Sequence, residues 1–308
     1  MLVPKSEPTH RTYRNSSMAD AFRLTIADRV AKLVIDQPDS RANVLSTTIW
    51  TEFGKVLDGL IPRTDLQGLV IESAKPGIFI AGADLKELAG GESASIRTLM
   101  GLGHCVLDTL EALPFPTVAI IDGAALGGGL EVALACDFRV CGTNPRVQLG
   151  LPEIKLGLLP GWGGSQRLTR LVGVEEALER MLTGESYDAS DPAPDDLVDE
   201  TVDSGQLEAA AHRWLQSGAW REVRKVKRGP VLADMLPSAE FLADVPHTLE
   251  EIELPMRPAA GEILKVAIQG AIGDLTTGIH LETEAFLRLA CSENAKQLIA
   301  EFFAKRKR

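Results

Sequence analysis

The sequence predicts an α/β fold followed by a mainly helical C-terminal region. Over the first two-thirds of the chain, short apolar runs typical of strands alternate with stretches of helical periodicity, which is the pattern of layered α/β folds. The strand-like runs contain few polar residues, so we expect sheets that are covered on at least one face. From Gly261 onward the pattern is helical throughout.

Two strand-like runs come first, and a helix follows them. The runs begin at Phe22 (FRLTIAD) and Val30 (VAKLVID), and Pro38 interrupts the pattern after the second run. Ser46 has a side chain suited to an N-cap, and apolar residues recur after it at helical spacing. A helix is therefore predicted from Ser46 to about Ile61.

The middle of the chain repeats the alternation of strands and helices. Strands are predicted at Gly68–Ser73, Thr117–Asp122, FRVCG and RVQLG; a loop, KPGIFIAGADLKEL, is predicted to turn into a short helix at Asp84; and helices are predicted at about Ser93–Leu113, Gly164–Leu171 and Val174–Leu182.

The last third differs in character from the preceding part. It contains a helical stretch at Leu207–Leu215, a basic stretch at Trp220–Arg228 and a loop interrupted by prolines, before the final helices, the last of which is capped by Ser292. The closing KRKR is expected to be exposed. We also expect a solvent-exposed linker face from the basic side chains of the stretch, namely Arg221, Arg224, Lys225, Lys227 and Arg228.

Composition narrows the classes of function. The 308 residues carry a formal net charge of −11, which argues against a general nucleic-acid or anionic-membrane surface. No apolar run approaches the roughly 20 residues of a membrane span, and the polar N-terminus lacks the features of a secretory signal. The expected organisation is a disordered tail (1–17), a core domain (18–200) and a mainly helical region (201–308).

Cysteine and histidine spacing gives no sign of a metal site or a disulfide framework. The cysteines, Cys105, Cys136, Cys141 and Cys291, form no CxxC pair and are expected to be reduced core residues, as in a cytoplasmic protein. The five histidines are scattered without ligand spacing, so no metal is expected.

Common nucleotide and hydrolase motifs are absent from the sequence. Gly101 and Gly103 begin a near match to GxGxxG, but Val106 stands where the third glycine belongs. No Walker A motif occurs, and Ser165 lacks the context of a GxSxG nucleophile elbow. Dehydrogenase, kinase and serine-hydrolase functions therefore have no sequence support.

The stretch ALGGGLEVALACDF, residues 125–138, has three glycines where a helix begins. The first backbone amides of a helix have no internal partner and lie at the positive end of its dipole, and glycine allows a ligand to approach them. Glu131, three residues after Gly128, projects from nearly the same helix face. These residues leave two interpretations open: an oxyanion site beside a carboxylate, or close packing with an incidental acid.

Two further stretches carry related signals. Glu153 lies among apolar residues in LGLPEIKLGLL, where burial would raise its pKa toward the range useful in acid–base catalysis. The alternative is an acid at a rim or a helix start. In GIFIAGADL, a backbone amide of the tight Ala-Gly-Ala turn could supply a second oxyanion donor.

These stretches together resemble the crotonase, or enoyl-CoA hydratase/isomerase, superfamily over about residues 20–200. The resemblance rests on GIFIAGADLKEL, IDGAALGGGLEVALACDFRV and LGLPEIKLGLLPGWGGSQRLTRLVG. The chain is most similar to the hydratase half of multifunctional fatty-acid oxidation complex α subunits, without the dehydrogenase domain. The resemblance implies the crotonase (ClpP-like) spiral fold of repeated ββα units with a helical C-terminal appendage.

The resemblance also implies roles for particular residues. The backbone amides of Ala83 and Gly128 would form an oxyanion hole for the thioester, and Glu131 and Glu153 would bracket a water. The implied reaction is hydration of trans-2-enoyl-CoA to 3-hydroxyacyl-CoA in fatty-acid β-oxidation, with no cofactor because coenzyme A is part of the substrate. The implied substrate or CoA contacts are Arg41, Ala81, Asp84, Leu85, Lys86 and Gly127.

The sequence leaves several alternatives open. Asp84 could contact the ligand or cap the following helix, with the cap favoured, and Arg41 and Lys86 could equally be ordinary surface residues. The activity could be Δ3,Δ2-enoyl-CoA isomerisation or both reactions, or the chain could be a non-catalytic CoA-binding or assembly subunit. The resemblance further implies a homotrimer or homohexamer, or a thiolase or separate dehydrogenase as partner.

Overall fold

Two β-sheets form the centre of the protein, described here by a computed structural model that covers residues 21–90, 92–188, 192–194 and 196–306. The strands are β1 (Phe22–Ala27), β2 (Val30–Ile35), β3 (Gly68–Ser73), β4 (Ile78–Ile80), β5 (Thr117–Ile121), β6 (Ala124–Leu126), β7 (Phe138–Gly142), β8 (Gln148–Gly150), β9 (Ser186–Tyr187) and β10 (Glu200–Val202). The larger sheet has the order β1-β2-β3-β5-β7-β10 and the smaller β4-β6-β8-β9. Both are mainly parallel, with antiparallel pairing of β1 with β2 and of β8 with β9.

Helices connect and flank these strands. They are α1 (Thr47–Leu60), α2 (Leu85–Gly90), α3 (Ser93–Ala112), α4 (Gly128–Ala135), α5 (Gly164–Val172), α6 (Val174–Thr183), α7 (Leu207–Gln216), α8 (Trp220–Arg228), α9 (Ala239–Glu251), α10 (Arg257–Ile272), α11 (Leu275–Ala290) and α12 (Glu293–Arg306). Short 3₁₀ turns lie at Pro152–Leu156, Ser204–Gln206 and Ala233–Met235.

The two sheets are built by a repeated ββα unit. In three successive units the first strand (β3, β5, β7) enters the larger sheet and the second (β4, β6, β8) enters the smaller sheet, and a helix or 3₁₀ turn follows. Because each unit adds one strand to each sheet, the chain winds as a spiral. The predicted α/β spiral with a helical C-terminal region is confirmed.

Local sequence signals place the first helix where it was predicted. The Ser46 hydroxyl accepts a hydrogen bond from the Ile49 amide at 3.2 Å, which satisfies one of the amides left free at a helix start. Trp50, Phe53 and Leu57 are fully buried against the core, and burial of Phe53 alone contributes about 1.5–3 kcal/mol.

The core lies around α4, whose residues are all buried. This helix is apolar on all sides apart from Glu131, which is the composition of a helix enclosed by other elements. It packs against α3 and α5 and against β4, β6 and β7. Its N-terminus is therefore enclosed by the smaller sheet and the neighbouring helices.

The C-terminal helices pack onto the spiral through α5. Arg170 on α5 donates to the carbonyls of Gly270 at 3.0 Å and Gly273 at 2.9 Å, at the end of α10. The predicted cap of the last helix is confirmed, since the Ala295 amide donates to the Ser292 hydroxyl at 3.2 Å. No helix within the described ranges combines the length and the apolar composition that a membrane crossing requires.

The basic stretch forms α8, and the prediction of a solvent-exposed linker face was wrong for two of its residues. Lys227 is buried, and its Nζ donates to the Cys136 carbonyl at 2.7 Å. Arg224 donates to both carboxylate oxygens of Asp137, at 2.6 and 2.8 Å. Burial lowers the pKa of Lys227 to about 8. Cys136 lies 91 residues before Lys227, and Asp137 lies 87 residues before Arg224. Local composition could not reveal contacts over such separations.

Two smaller expectations also need correction. The proline-interrupted loop contains the helix α9, with Pro246 inside it, so proline did not prevent a helix here. Cys136 and Cys141 are buried as predicted, but Cys105 and Cys291 are exposed, since one lies on the outer face of α3 and the other just after α11. The predicted tail 1–17 and the last two residues of KRKR lie outside the described residues, and the domain limits stay predictions.

Candidate active site

The glycines before α4 have separate structural roles. Gly127 has φ +52° and ψ −126°, a conformation that only glycine adopts readily. A methyl group at Gly128 would lie 2.7 Å from the Trp162 ring, and one at Gly129 would overlap the Ile80 carbonyl. Close packing by itself therefore accounts for glycine at 128 and 129.

A second backbone segment, residues 81–84, lies beside this helix start. Gly82 has φ +101°, and a methyl group on Gly127 would come within 3.9 Å of its Cα. Leu45 holds the segment, because its amide donates to the Gly82 carbonyl and its own carbonyl accepts from the Asp84 amide, both at 2.9 Å. Among the described residues, no backbone carbonyl accepts from the Ala83 amide. The two segments predicted to carry oxyanion donors are thus neighbours.

Glu131 lies one turn into α4 and is buried. Its Oε1 accepts hydrogen bonds from the amides of Trp162 at 2.6 Å and Gly164 at 2.7 Å. Burial raises the pKa of this carboxyl to about 7, although the two amides and the Arg167 charge act in the opposite direction. Near neutral pH the carboxyl can therefore both accept and release a proton.

Glu153 lies at the start of the 3₁₀ turn Pro152–Leu156, and its carboxylate reaches the N-terminus of α4. The residue as a whole is half-buried, but its Oε2 is shielded from solvent and receives no hydrogen bond from any described residue. Its Oε1 lies 2.6 Å from the point that a methyl group on Gly127 would occupy. Burial, and then the charges of Glu131 and Glu282, raise its pKa well above the usual range.

A third buried carboxylate, Glu282 on α11, was missed from the sequence. Its Oε1 accepts from the Gly163 amide at 2.6 Å, and its Oε2 accepts from the amide and the hydroxyl of Ser165 at 3.0 and 2.5 Å. Burial raises its pKa to about 8, and the Glu131 charge adds to the effect. The sequence did contain one signal for its burial. Ala285 and Phe286, at the i+3 and i+4 positions from Glu282, belong to the apolar face of the helix, so Glu282 lies on that face as well.

Arg167 on α5 supplies positive charge to this carboxylate cluster. It is fully buried, with Nε donating to Glu111 at 2.8 Å and Nη1 to the Trp162 carbonyl at 2.7 Å. Burial opposes its charge, but the carboxylates of Glu111, Glu282 and Glu131 outweigh that effect and raise its pKa. The guanidinium therefore stays charged beside the glutamates.

The remaining predicted contacts lie around residues 81–86. Asp84 caps the start of α2, since its Oδ1 accepts from the Lys86 amide at 3.0 Å, as favoured from the sequence. Leu85 is half-buried against the core, and Ala81, whose amide donates to the Asn43 carbonyl at 2.8 Å, is exposed. Arg41 and Lys86 are exposed, and neither forms an ion pair with a described residue.

The chain is similar to one family model and to several solved structures. Residues 25–228 match the family model described as enoyl-CoA hydratase/isomerase. The solved structure of Pseudomonas aeruginosa DspI is 32% identical, with a TM-score of 0.60 over 70% of this chain and 88% of that chain. An enoyl-CoA hydratase from Bacillus anthracis is 28% identical, with a TM-score of 0.59 over 92% and 96%. An enoyl-CoA hydratase from Bacillus halodurans, at 19% identity, shares the fold with a TM-score of 0.68 over 91% and 99%.

Proposed function

This chain belongs to the enoyl-CoA hydratase/isomerase family, and we propose that it adds water to trans-2-enoyl-CoA thioesters to form 3-hydroxyacyl-CoA. The observation that carries the proposal is the convergence of Glu131 and Glu153 beside the glycines that open α4. Both carboxyls have raised pKa values. Addition of water across a double bond needs one group to take a proton and another to give one, and this pair can do both.

The developing negative charge needs a stabilising site. When water attacks C3, the electrons of the double bond move toward the thioester oxygen and form an enolate. We propose that the amides of Ala83 and Gly128 hold this oxygen, because within the described part of the chain neither amide donates to a backbone carbonyl as interior helix and strand amides do. One donor of this kind typically contributes about 2.7–4 kcal/mol to transition-state stabilisation.

The two acids differ in a way that assigns their roles. Glu131 has one oxygen held by two amides, which favours its charged form, so we assign it as the base that takes a proton from water. Glu153 has an oxygen without a donor among the described residues, which favours its neutral form, so we assign it as the acid that protonates C2. A proton passing from Glu131 to Glu153 then restores the starting state, and the net change is addition of one water.

The coenzyme A part of the substrate needs partners for its phosphates. Lys86 follows the segment 81–84 in the chain, and Arg41 lies two residues before Asn43, whose carbonyl accepts from the Ala81 amide. Both cations are exposed, so we propose that they attract the phosphates. Ala81 on this segment, Leu85 directly after it and Gly127 opposite it would contact the thioester end. The reaction as proposed requires no cofactor and no metal, and we place it in fatty-acid β-oxidation in the cytoplasm.

The C-terminal region carries several exposed apolar side chains. Leu254 and Ile272 are each 72% exposed, and Leu232 and Leu242 are about half exposed. Exposed apolar side chains of this size are typical of interaction surfaces when they lie together. We propose a homotrimer or homohexamer, which light scattering on the purified chain would measure. A monomer at all concentrations would contradict it.

A hydration assay tests the proposed activity. Loss of the ultraviolet absorbance of the conjugated thioester would be followed with crotonyl-CoA and with longer trans-2-enoyl-CoAs, using Glu131→Gln and Glu153→Gln as controls. Each variant should lose about a hundredfold or more in kcat, since general acid–base groups contribute 10²–10⁴-fold. Turnover of 3-enoyl-CoA without hydration would instead favour an isomerase. Binding of acyl-CoA without either turnover would favour a non-catalytic subunit.

A further inference from the structure

Four consecutive backbone amides hold two carboxylates alternately. Trp162 and Gly164 donate to Glu131 at 2.6 and 2.7 Å, and Gly163 and Ser165 donate to Glu282 at 2.6 and 3.0 Å. Glu131 comes from α4 and Glu282 from α11, 151 positions later in the sequence. The segment 162–165 is thus held between two buried acids.

The conformation of this segment leaves it little freedom. Gly163 has φ +89°, and a methyl group there would overlap Arg167 Nη1. A methyl group at Gly164 would lie 2.8 Å from Pro160 Cβ and 2.9 Å from Glu131 Oε1. The four amides therefore depend on the acceptors on both sides of the segment. If the two amides that donate to Glu282 moved, the two that donate to Glu131 would move with them.

We propose that Glu282 is a positioning residue that holds Glu131 in its working position through the segment 162–165. This inference rests on the proposed function, in which Glu131 takes a proton from water. With Oε1 of Glu131 fixed by two amides, its Oε2 is the oxygen left to face the water. A displacement of about 1 Å at such a group can lower the rate on the order of a hundredfold.

The cost of burying a second acid beside Glu131 fits this role better than a purely structural one. Two buried carboxylates on one short segment repel each other, and a single acid would have fewer groups to desolvate. Arg167 offsets part of the repulsion, while Glu131 and Glu153 are the acids that face the cluster from the other elements. Glu282 adds three hydrogen bonds of 2.5 to 3.0 Å, on the side of the segment 162–165 opposite Glu131.

Glu282→Gln is the first test, with Glu284→Gln as its matched control. An amide side chain can accept at only one of the two oxygen positions, so either the Gly163 amide or the Ser165 amide loses its acceptor. We expect kcat for crotonyl-CoA hydration to fall about 10–100-fold with KM changed less than about threefold. Glu284 lies on the same helix in an exposed pair with Arg97, and its variant should match wild type. An unchanged kcat in Glu282→Gln would overturn the proposal.

A double-mutant cycle separates positioning from general damage. If Glu282 acts through Glu131, then Glu282→Gln should have less than about a twofold effect on the residual rate when Glu131 is already Gln. Equal losses in both backgrounds would show that Glu282 acts independently of Glu131, which would refute the inference. Ser165→Ala removes the 2.5 Å hydroxyl contact with Glu282 and the hydrogen bond that the same hydroxyl accepts from Gln166 Nε2 at 3.0 Å. It gives a milder variant in case Glu282→Gln does not fold. It should lower kcat severalfold.

Amide hydrogen exchange gives a readout that does not depend on turnover. In Glu282→Gln, or in Ser165→Ala, exchange measured by NMR should accelerate at Trp162 and Gly164 as well as at Gly163 and Ser165. Acceleration confined to Gly163 and Ser165 would overturn the proposal, because the Glu131 side would then be undisturbed. A wild-type chain that hydrates no enoyl-CoA would refute the proposed function, whereas the exchange result would still decide whether Glu282 holds the Glu131 side of the segment.

Discussion

The carboxylate of Glu153 occupies the space that any side chain at position 127 would need. Glu153 Oε1 lies 2.6 Å from the point at which a Gly127 methyl would stand, and Gly127 itself has φ +52°. Glycine is therefore required here for two reasons, the backbone conformation and the position of an acid that comes from the following ββα unit. The relationship joins the start of α4 to the 3₁₀ turn that carries Glu153.

Gly127→Ala should remove most of the activity. The added methyl would displace the Glu153 carboxylate, and the conformation would cost about 1–3 kcal/mol for a residue with a Cβ. We expect kcat to fall about a hundredfold or more, with a lower Tm. Gly101→Ala is the matched control, because a methyl there meets no atom within 4 Å and should leave kcat unchanged. A Gly127→Ala enzyme with wild-type kcat would contradict the assigned position of Glu153.

Glu153→Gln should raise stability while it removes activity. The folded state raises the pKa of this carboxyl, mainly through burial. The Glu153 carboxyl therefore contributes its full stabilisation when the pH is below the pKa that it has in the unfolded chain. This stabilisation is lost as the pH rises through the pKa of the folded state. The variant has no such loss, so the Tm difference should move in its favour as the pH rises above the usual range of a carboxyl pKa.

The control for this prediction is Glu185→Gln, since Glu185 is exposed. Scanning calorimetry of wild type and both variants across the pH range would measure the Tm differences. A Glu153→Gln difference that stays flat or shrinks with rising pH would show that Glu153 is not the buried, hard-to-ionise acid described here.

Arg224→Ala should destabilise the fold strongly. It would leave the Asp137 carboxylate, which is 1% exposed, without its charged partner, and breaking a buried pair from one side costs about 3–5 kcal/mol. Lys225→Ala on the same helix is the control, because its pair with Glu222 is exposed and contributes about 0–1 kcal/mol. Urea unfolding would measure both, and equal losses would contradict a structural role for Arg224.

Arg41→Ala and Lys86→Ala should weaken substrate binding without slowing the chemical step. If these exposed cations meet the phosphates of coenzyme A, each variant should raise KM for crotonyl-CoA severalfold, with kcat unchanged. The same variants should be indistinguishable from wild type with crotonyl-pantetheine, which lacks those phosphates. Lys55→Ala, an exposed cation on α1, serves as the control. An equal effect on both substrates would exclude a phosphate contact.

Local signals in the sequence were sufficient for much of the fold. Helical spacing and the Ser46 and Ser292 caps predicted α1 and α12, and apolar runs predicted β2, β3 and β5. Three motifs were sufficient to nominate Glu131, Glu153, Ala83 and Gly128, because each motif is a short continuous stretch. The winding of the chain then brings those stretches together at the N-terminus of α4.

What the sequence by itself determined is the α/β class, the family resemblance and the two candidate acids. Only the tertiary structure decided which residues face them. Glu282 meets Gly163 across 119 positions, and Arg224 meets Asp137 across 87. The physical reason is that periodicity and capping act over a few residues, whereas the energy of a buried charge depends on partners that folding brings from distant parts of the chain.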